Sequence, residues 1–156
     1  MITVVDVIRG LSETVETVFG APPVTKDLRE GFSRPATFIT PVDTVPERIG
    51  GLRHETVMLE IVRFEHDTRD GWIQLLKDQA ALTAALEAPV QVGDSFHILP
   101  EDVDFDLDRD TMSLACTFTV ELYQDRPADA GPGSTDNMDT LVENGTTVVR
   151  PPNVNN

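Results

Sequence analysis

The 156-residue sequence contains one cysteine, one tryptophan, one tyrosine and two lysines. Cys116 has no second cysteine to pair with, so no internal disulfide staples the chain. No stretch approaches the ~18 apolar residues that a membrane-spanning helix needs. The opening "MITVVDVIRGLSETVETVF" carries acids and no positively charged leader, so no signal peptide is expected. The sequence has no CxxC, HExxH, G-x-S-x-G, Walker or G-x-G-x-x-G pattern. His54, His66 and His97 do not stand at metal-ligand spacing. His97, between Phe96 and Ile98, reads as a strand residue. Cys116 falls on an apolar strand face, where a thiol is inert. These shortages point away from an enzyme, and no catalytic residue, cofactor or metal is assigned.

Positive charge is also scarce. The formal net charge is −15, with 12 Lys and Arg against 27 Asp and Glu. A molecule so acidic repels phosphate at long range, which disfavours tight or sequence-specific nucleic-acid binding. Arginine outnumbers lysine, which is confined to Lys26 and Lys77. This pattern fits a protein adapted to high salt, where the Debye length shrinks to about 3 Å; a GC-rich genome that replaces lysine by arginine is the alternative.

Forty per cent hydrophobic residues suffice for a folded core. The length suits one domain with an appendage. Val4, Ile8, Leu11, Val15 and Val18 recur at three- and four-residue steps, predicting an amphipathic helix with Thr3 and Asp6 as a capping box. "RPATFITPVDTV" (34–45) is β-rich, and its prolines suggest an edge or irregular strand. "RIGG" (48–51) is a turn. "LRHETVMLEIVRFEH" (52–66) is a long strand, with Val57, Leu59 and Ile61 on one face and Met58, Val62 and Phe64 on the other. A strand apolar on both faces lies centrally or meets a partner. A second helix is expected over 69–87, capped by Asp67 or Thr68, with a stripe of Trp72, Leu75, Leu76, Gln79, Leu82 and Leu86. Gly71 looks like a mild cost in its first turn. "DSFHIL" and "TMSLACTFTVELYQ" (111–124) are further strands. The order predicts an α+β fold: an antiparallel or mixed sheet of four to six strands with two helices packed on it.

From residue 126 the composition changes. "DRPADAGPGSTDNMD" has no aromatics and no periodicity and reads as a linker. Beyond it, Asn144-Gly145 lies between short β-prone runs and signals a tight hairpin over 141–149. The domain is therefore set at 1–125 and the arm at 126–156. A lone hairpin is marginal in water. Val148 and Val149 are accordingly expected to dock on a partner, with packing on the chain's own domain as the alternative.

Residues 101–112, "EDVDFDLDRDTM", hold six acids in their first ten positions. Asp102, Asp104, Asp106 and Asp108 alternate with Val103, Phe105 and Leu107. On a strand, side chains at i and i+2 share a face roughly 6.8 Å apart. Repulsion between two such carboxylates in water is about 0.6 kcal/mol. Burying Phe105 or Leu107 is worth roughly 1.5–3 kcal/mol, so the strand forms without a cation. An EF-hand register fails from both starts: positions 6 and 12 are Arg109 and Ala115, or Leu107 and Ser113. The stretch reads as the wet face of a β-hairpin, and a calcium or sodium site on Asp102, Asp104, Asp106 and Asp108 is the alternative.

With these elements in order, residues 1 to about 125 resemble the tail terminator (tail-to-head joining) proteins of long-tailed phages and viruses. The resemblance rests on the N-terminal amphipathic helix and on "REGFSRPATFI" leading into a strand. It rests also on "ETVMLEIVRF" followed directly by the helix "DGWIQLLKDQAALTAALE", and on the acidic hairpin "DVDFDLDRDTMSLACTFTVELY". It does not cover the arm. The resemblance implies a non-catalytic virion protein that forms a homohexameric ring, caps the tail tube, stops its polymerisation and meets the head connector. It implies assembly in the host cytoplasm and no membrane partner. In such a ring Asp102, Asp104, Asp106, Asp108 and Asp110 are expected to face the channel, where DNA passes without specific binding. Arg29, Arg34, Arg48 and Arg53 are expected to form intersubunit ion pairs, and Met58, Val62 and Phe64 to make subunit contacts. A stopper or other neck protein, and a small cation-binding module, are the alternative functions.

Overall fold

A computed structural model describes residues 1–25 and 30–125. It has two helices, α1 (Val4–Phe19) and α2 (Gly71–Leu86). Six strands complete it: β1 (Ala36–Ile49), β2 (Leu52–Phe64), β3 (Val90–Val92), β4 (Phe96–Ile98), β5 (Glu101–Asp108) and β6 (Ser113–Asp125). The main sheet runs β1-β2-β6-β5, and β3 and β4 form a separate ribbon. The fold is α+β, as the sequence pattern predicts. Met1–Gln124 forms one compact unit. The hairpin predicted over 141–149, with Val148 and Val149, lies outside the described residues, as does Arg29.

Helix α1 begins where the capping box predicts. The Asp6 N–H bonds the Thr3 hydroxyl at 3.3 Å, and the Asp6 carboxylate accepts from the Thr3 N–H at 2.9 Å. These bonds satisfy donors that a helix start leaves orphaned. Val7, Leu11 and Val15 are fully buried along one face. Gly10 lies on that face too. A methyl group there would strike the Gln91 carbonyl and Val92, so only glycine lets α1 approach β3.

The hairpin of β1 and β2 turns at Gly50-Gly51 and pairs from Ala36↔Phe64 to Ile49↔Leu52. A bulge between Pro41 and Asp43 breaks its register. β1 is an edge strand, as its prolines suggested. Pro41 and Pro46 carry no N–H, so at those two positions the edge offers an incoming strand no donor. β2 and β6 run antiparallel: the Glu65 N–H donates to the Met112 carbonyl at one end, and His54 meets Glu121 at the other.

The core lies between the sheet and the helices. β2 supplies Val57, Leu59 and Ile61, and β6 supplies Leu114, Cys116, Phe118, Val120 and Leu122. α2 adds Leu75, Leu82 and Leu86. Two expectations for α2 need correcting. It starts after Asp70, not after Asp67 or Thr68, and the Asp70 side chain makes no capping bond. Its buried stripe passes through Asp78, while Leu76 is 47% exposed. Gly71 is also more than a mild cost: a methyl group there would run into the His66 carbonyl and the Met112 side chain. The helix start therefore abuts the backbone directly.

The Asp78 stripe has a partner. Arg63 on β2 donates to Asp78 at 3.1 Å, to Glu65 at 3.0 Å and to the Thr37 hydroxyl at 3.0 Å. Gln74 donates to the second Asp78 oxygen at 3.0 Å. The Phe19 ring lies 4.1 Å from the guanidinium and ties α1 to the same group. Two carboxylates share one buried cation. Burial, and then Asp78 beside it, push the Glu65 carboxyl above its ordinary range against the pull of Arg63.

Candidate functional site: the open face of the sheet

Strand alternation sorts the sheet into two faces. One packs on the helices; no described helix covers the other. The open face carries Asp43 and Glu47 from β1, Glu60 from β2, Glu121 from β6, and Glu101, Asp104 and Asp106 from β5. No lysine or arginine stands at these strand positions. Arg48, Arg53 and Arg63 alternate onto the opposite side of the hairpin.

β5 answers the question raised by the acidic run. Phe105 pairs with Cys116 and Leu107 with Leu114; both are half-buried against the core. Asp104 and Asp106 stand opposite Thr117 and Ala115, on the open side. The row is shorter than simple alternation suggests. A register shift between Glu101 and Asp104, with Asp102 at φ 53°, takes Asp102 out of the row. Asp108 closes the turn: its carboxylate accepts from the Asp110 N–H at 2.8 Å and the Thr111 N–H at 3.4 Å. Those bonds hold its carboxyl below the ordinary range. Arg109, at the tip, stacks its guanidinium 4.7 Å from the Trp72 ring centre and fastens the hairpin to α2. Among the described residues, no group of three or more His, Cys, Asp or Glu is arranged to hold a metal ion.

The β1–β2 part of the open face mixes Asp43, Glu47 and Glu60 with apolar side chains: Val45, Ile49, Leu52 and Met58 are between 39% and 49% exposed. Val62 is half-buried beside them. Phe64 is partly covered from within the chain. It packs with Phe32 and Phe38 at centroid distances of 4.8 and 5.9 Å, and Arg34 lies 5.2 Å above its ring. Arg34 also donates to the Glu65 and Thr111 carbonyls at 2.8 and 3.0 Å, joining β1, β2 and the acidic turn. Arg53 pairs with Glu55 at 3.3 Å, whereas Arg48 is exposed beside the β1–β2 turn. Sequence reasoning missed the Arg63 network and the environment of His54, because both depend on which distant strands become neighbours.

Cys116 is fully buried, and burial, with the Asp104 charge behind it, pushes its thiol up to about 12. A groove of about 330 Å³ lies between α1 and the β3–β4 turn. Several of its polar groups are engaged within the chain: Asp6 accepts from Thr3 and Arg9, and Gln91 donates to the Gly93 carbonyl. What the geometry offers is a sheet face that mixes carboxylates with exposed apolar side chains, on a scaffold tied together from behind. Such a surface suits contact with other macromolecules.

Comparison with curated proteins finds no match. The family described as Phage tail terminator protein matches residues 6–132. The match takes in nearly all of α1, all of α2 and every strand. That makes the chain a structural component of the phage tail and of the virion, in contact with other tail components. None of its described helices is long and apolar enough to cross a membrane. Its order of elements, its core and the extent of the match agree: the chain belongs to the phage tail terminator family.

Proposed function

We propose that the protein closes into a homohexameric ring on the head-proximal end of the tail tube, stops tube polymerisation there and joins the tail to the head connector. The family match carries this reading. The fold is compatible with it. Both edges of the sheet are blunted, by Pro41, Pro46 and a bulge in β1 and by the bulge and aspartates of β5. Open-ended strand addition is thereby disfavoured, while side-chain surfaces stay free for closed, repeated contacts. Arg48, Met58 and Val62 supply such contacts; Arg34 and Phe64, engaged within the chain, orient the surface beneath them. Arg29, Val148 and Val149 extend the interface from outside the described residues. Assembly takes place in the host cytoplasm.

In the ring the acidic hairpin faces the channel. Asp104 and Asp106 form its regular row, with Asp102, Asp108 and Asp110 at its two ends. Repeated by symmetry, these carboxylates repel the phosphates of passing DNA and keep it from adhering.

The test is a polymerisation assay. Purified tail tube protein is assembled with and without this chain, and tube lengths are measured by electron microscopy. The expected result is shorter tubes, each closed at one end by a ring. An unchanged length distribution with bare ends contradicts the proposal.

A further inference from the structure

We propose that His54 is a protonation-dependent latch that fastens the turn end of the β1–β2 hairpin to the rest of the sheet. The imidazole stands on β2 between two carboxylates from the strands on either side. Its Nε2 lies 3.3 Å from Glu121 Oε1 on β6, and its Nδ1 lies 3.7 Å from Glu47 Oε2 on β1. The His54 side chain is 9% exposed. Its Nδ1 is buried with no hydrogen-bond partner.

A neutral imidazole has one N–H. The shorter approach puts that proton on Nε2, toward Glu121. Nδ1 then turns a bare lone pair toward the Glu47 carboxylate, so acceptor faces acceptor. The ring is held on one side only. Protonation supplies the second N–H at the nitrogen that lacks a partner. Glu47 is 55% exposed and free to move the remaining ~0.7 Å from 3.7 Å toward a hydrogen bond of about 3 Å. The imidazolium then makes charge-assisted bonds to β1 and β6 together.

The ring has a further neighbour on β6. Tyr123 on β6 stacks on it, with centroids 4.4 Å apart and planes 10° from parallel, and its π face attracts a cation. The Tyr123 hydroxyl donates to the Glu121 oxygen that faces His54, at 2.8 Å. Tyr123 holds its own proton above the ordinary range because of that bond, with the charges of Glu121, Glu101 and Glu47 adding to it. The charged and titratable groups facing the ring are Glu47 from β1 and Glu121 and Tyr123 from β6; the Glu101 charge of β5 acts on Tyr123. Arg53 and Glu55, its neighbours on β2, alternate onto the other face.

The latch governs a surface. Val45, Ile49 and Leu52, at the same end of the hairpin, are 49%, 49% and 39% exposed. Glu47 lies between Val45 and Ile49. Protonation fixes the shape in which this apolar lane is presented, and deprotonation loosens it. The latch belongs to the subunit fold and does not depend on ring formation.

Amide hydrogen exchange of the full-length chain tests the idea, with intrinsic rates corrected, at about pH 5.5 and about pH 8, which bracket histidine titration. Protection over 44–56 should fall about fivefold between the two conditions, the scale of an exposed charge-assisted bond. Protection over 59–63 should not change. His54→Gln should abolish the fall, and Glu47→Gln, which keeps the histidine and alters only an exposed side chain, should reduce it. The proposal is overturned if the native chain shows no fall, if the same fall persists in His54→Gln, or if Glu47→Gln leaves its size unchanged.

Discussion

Arg63 concentrates the electrostatic stakes of the fold. Its guanidinium reaches Asp78, Glu65 and Thr37 in a site where all three charged groups are at most 8% exposed. Removing one partner of a buried pair leaves the other charge uncompensated. Arg63→Ala strips both Asp78 and Glu65 of their shared cation and is therefore expected to cost about 3–5 kcal/mol in urea unfolding. Glu65 behaves in the opposite sense. Its carboxyl is held above the ordinary range, chiefly by burial. A group with a raised folded value contributes stability that is complete below its unfolded value and is lost as pH rises through the folded one. Glu65→Gln should therefore gain on the native chain as pH rises from the acid range toward neutrality. Unfolding midpoints measured across that range check this; a constant difference contradicts it. Neither residue could be assigned from the sequence. Asp78 stands at helical spacing between Leu75 and Leu82, but its charge sent the expected stripe to Leu76 and Gln79. The counterion that admits it to the core lies on a different strand.

The helices and strands were legible wherever their periodicity was local. The Thr3 and Asp6 box marks the start of α1, the glycine pair at 50–51 marks the β1–β2 turn, and the alternation in β6 gives its buried side residue by residue. The bulge at Asp102 was not legible, because a backbone insertion leaves the alternating letters of "DVDFDLD" intact. The start of α2 was also misplaced: Asp67 and Thr68 look like caps, but the helix begins after Asp70, where Gly71 packs closely against the His66 carbonyl. β5 yields a direct test of which side holds it in place. Phe105→Ala should destabilise the chain by about 1–3 kcal/mol, since the ring is half-buried on the core. Asp104→Asn should stay within about 0.5 kcal/mol, as expected for an exposed strand position. If calcium stabilises the native chain and Asp104→Asn removes the effect, the carboxylates serve a cation after all.

The assembled molecule is where the acidic composition acquires meaning. A net charge of −15 opposes casual association, so any contact between copies in the proposed ring must rest on complementary surfaces. Within the subunit, Gln124 joins the end of β6 to the start of the chain. Its side chain accepts from the Ile2 N–H at 2.7 Å and donates to the Ile2 carbonyl at 2.9 Å. A chain ended after Asp125 keeps that closure and is expected to fold while assembling more weakly. Circular dichroism and light scattering measure the two properties separately, and an unfolded product would move the domain boundary. The ring itself is tested most directly by electron cryomicroscopy of the head-proximal end of the tail. The account predicts six copies of this fold closing a ring on the last layer of the tube, with Asp104 and Asp106 turned toward the channel. Finding the protein elsewhere in the tail, or as single copies with those side chains on the outer rim, would contradict it.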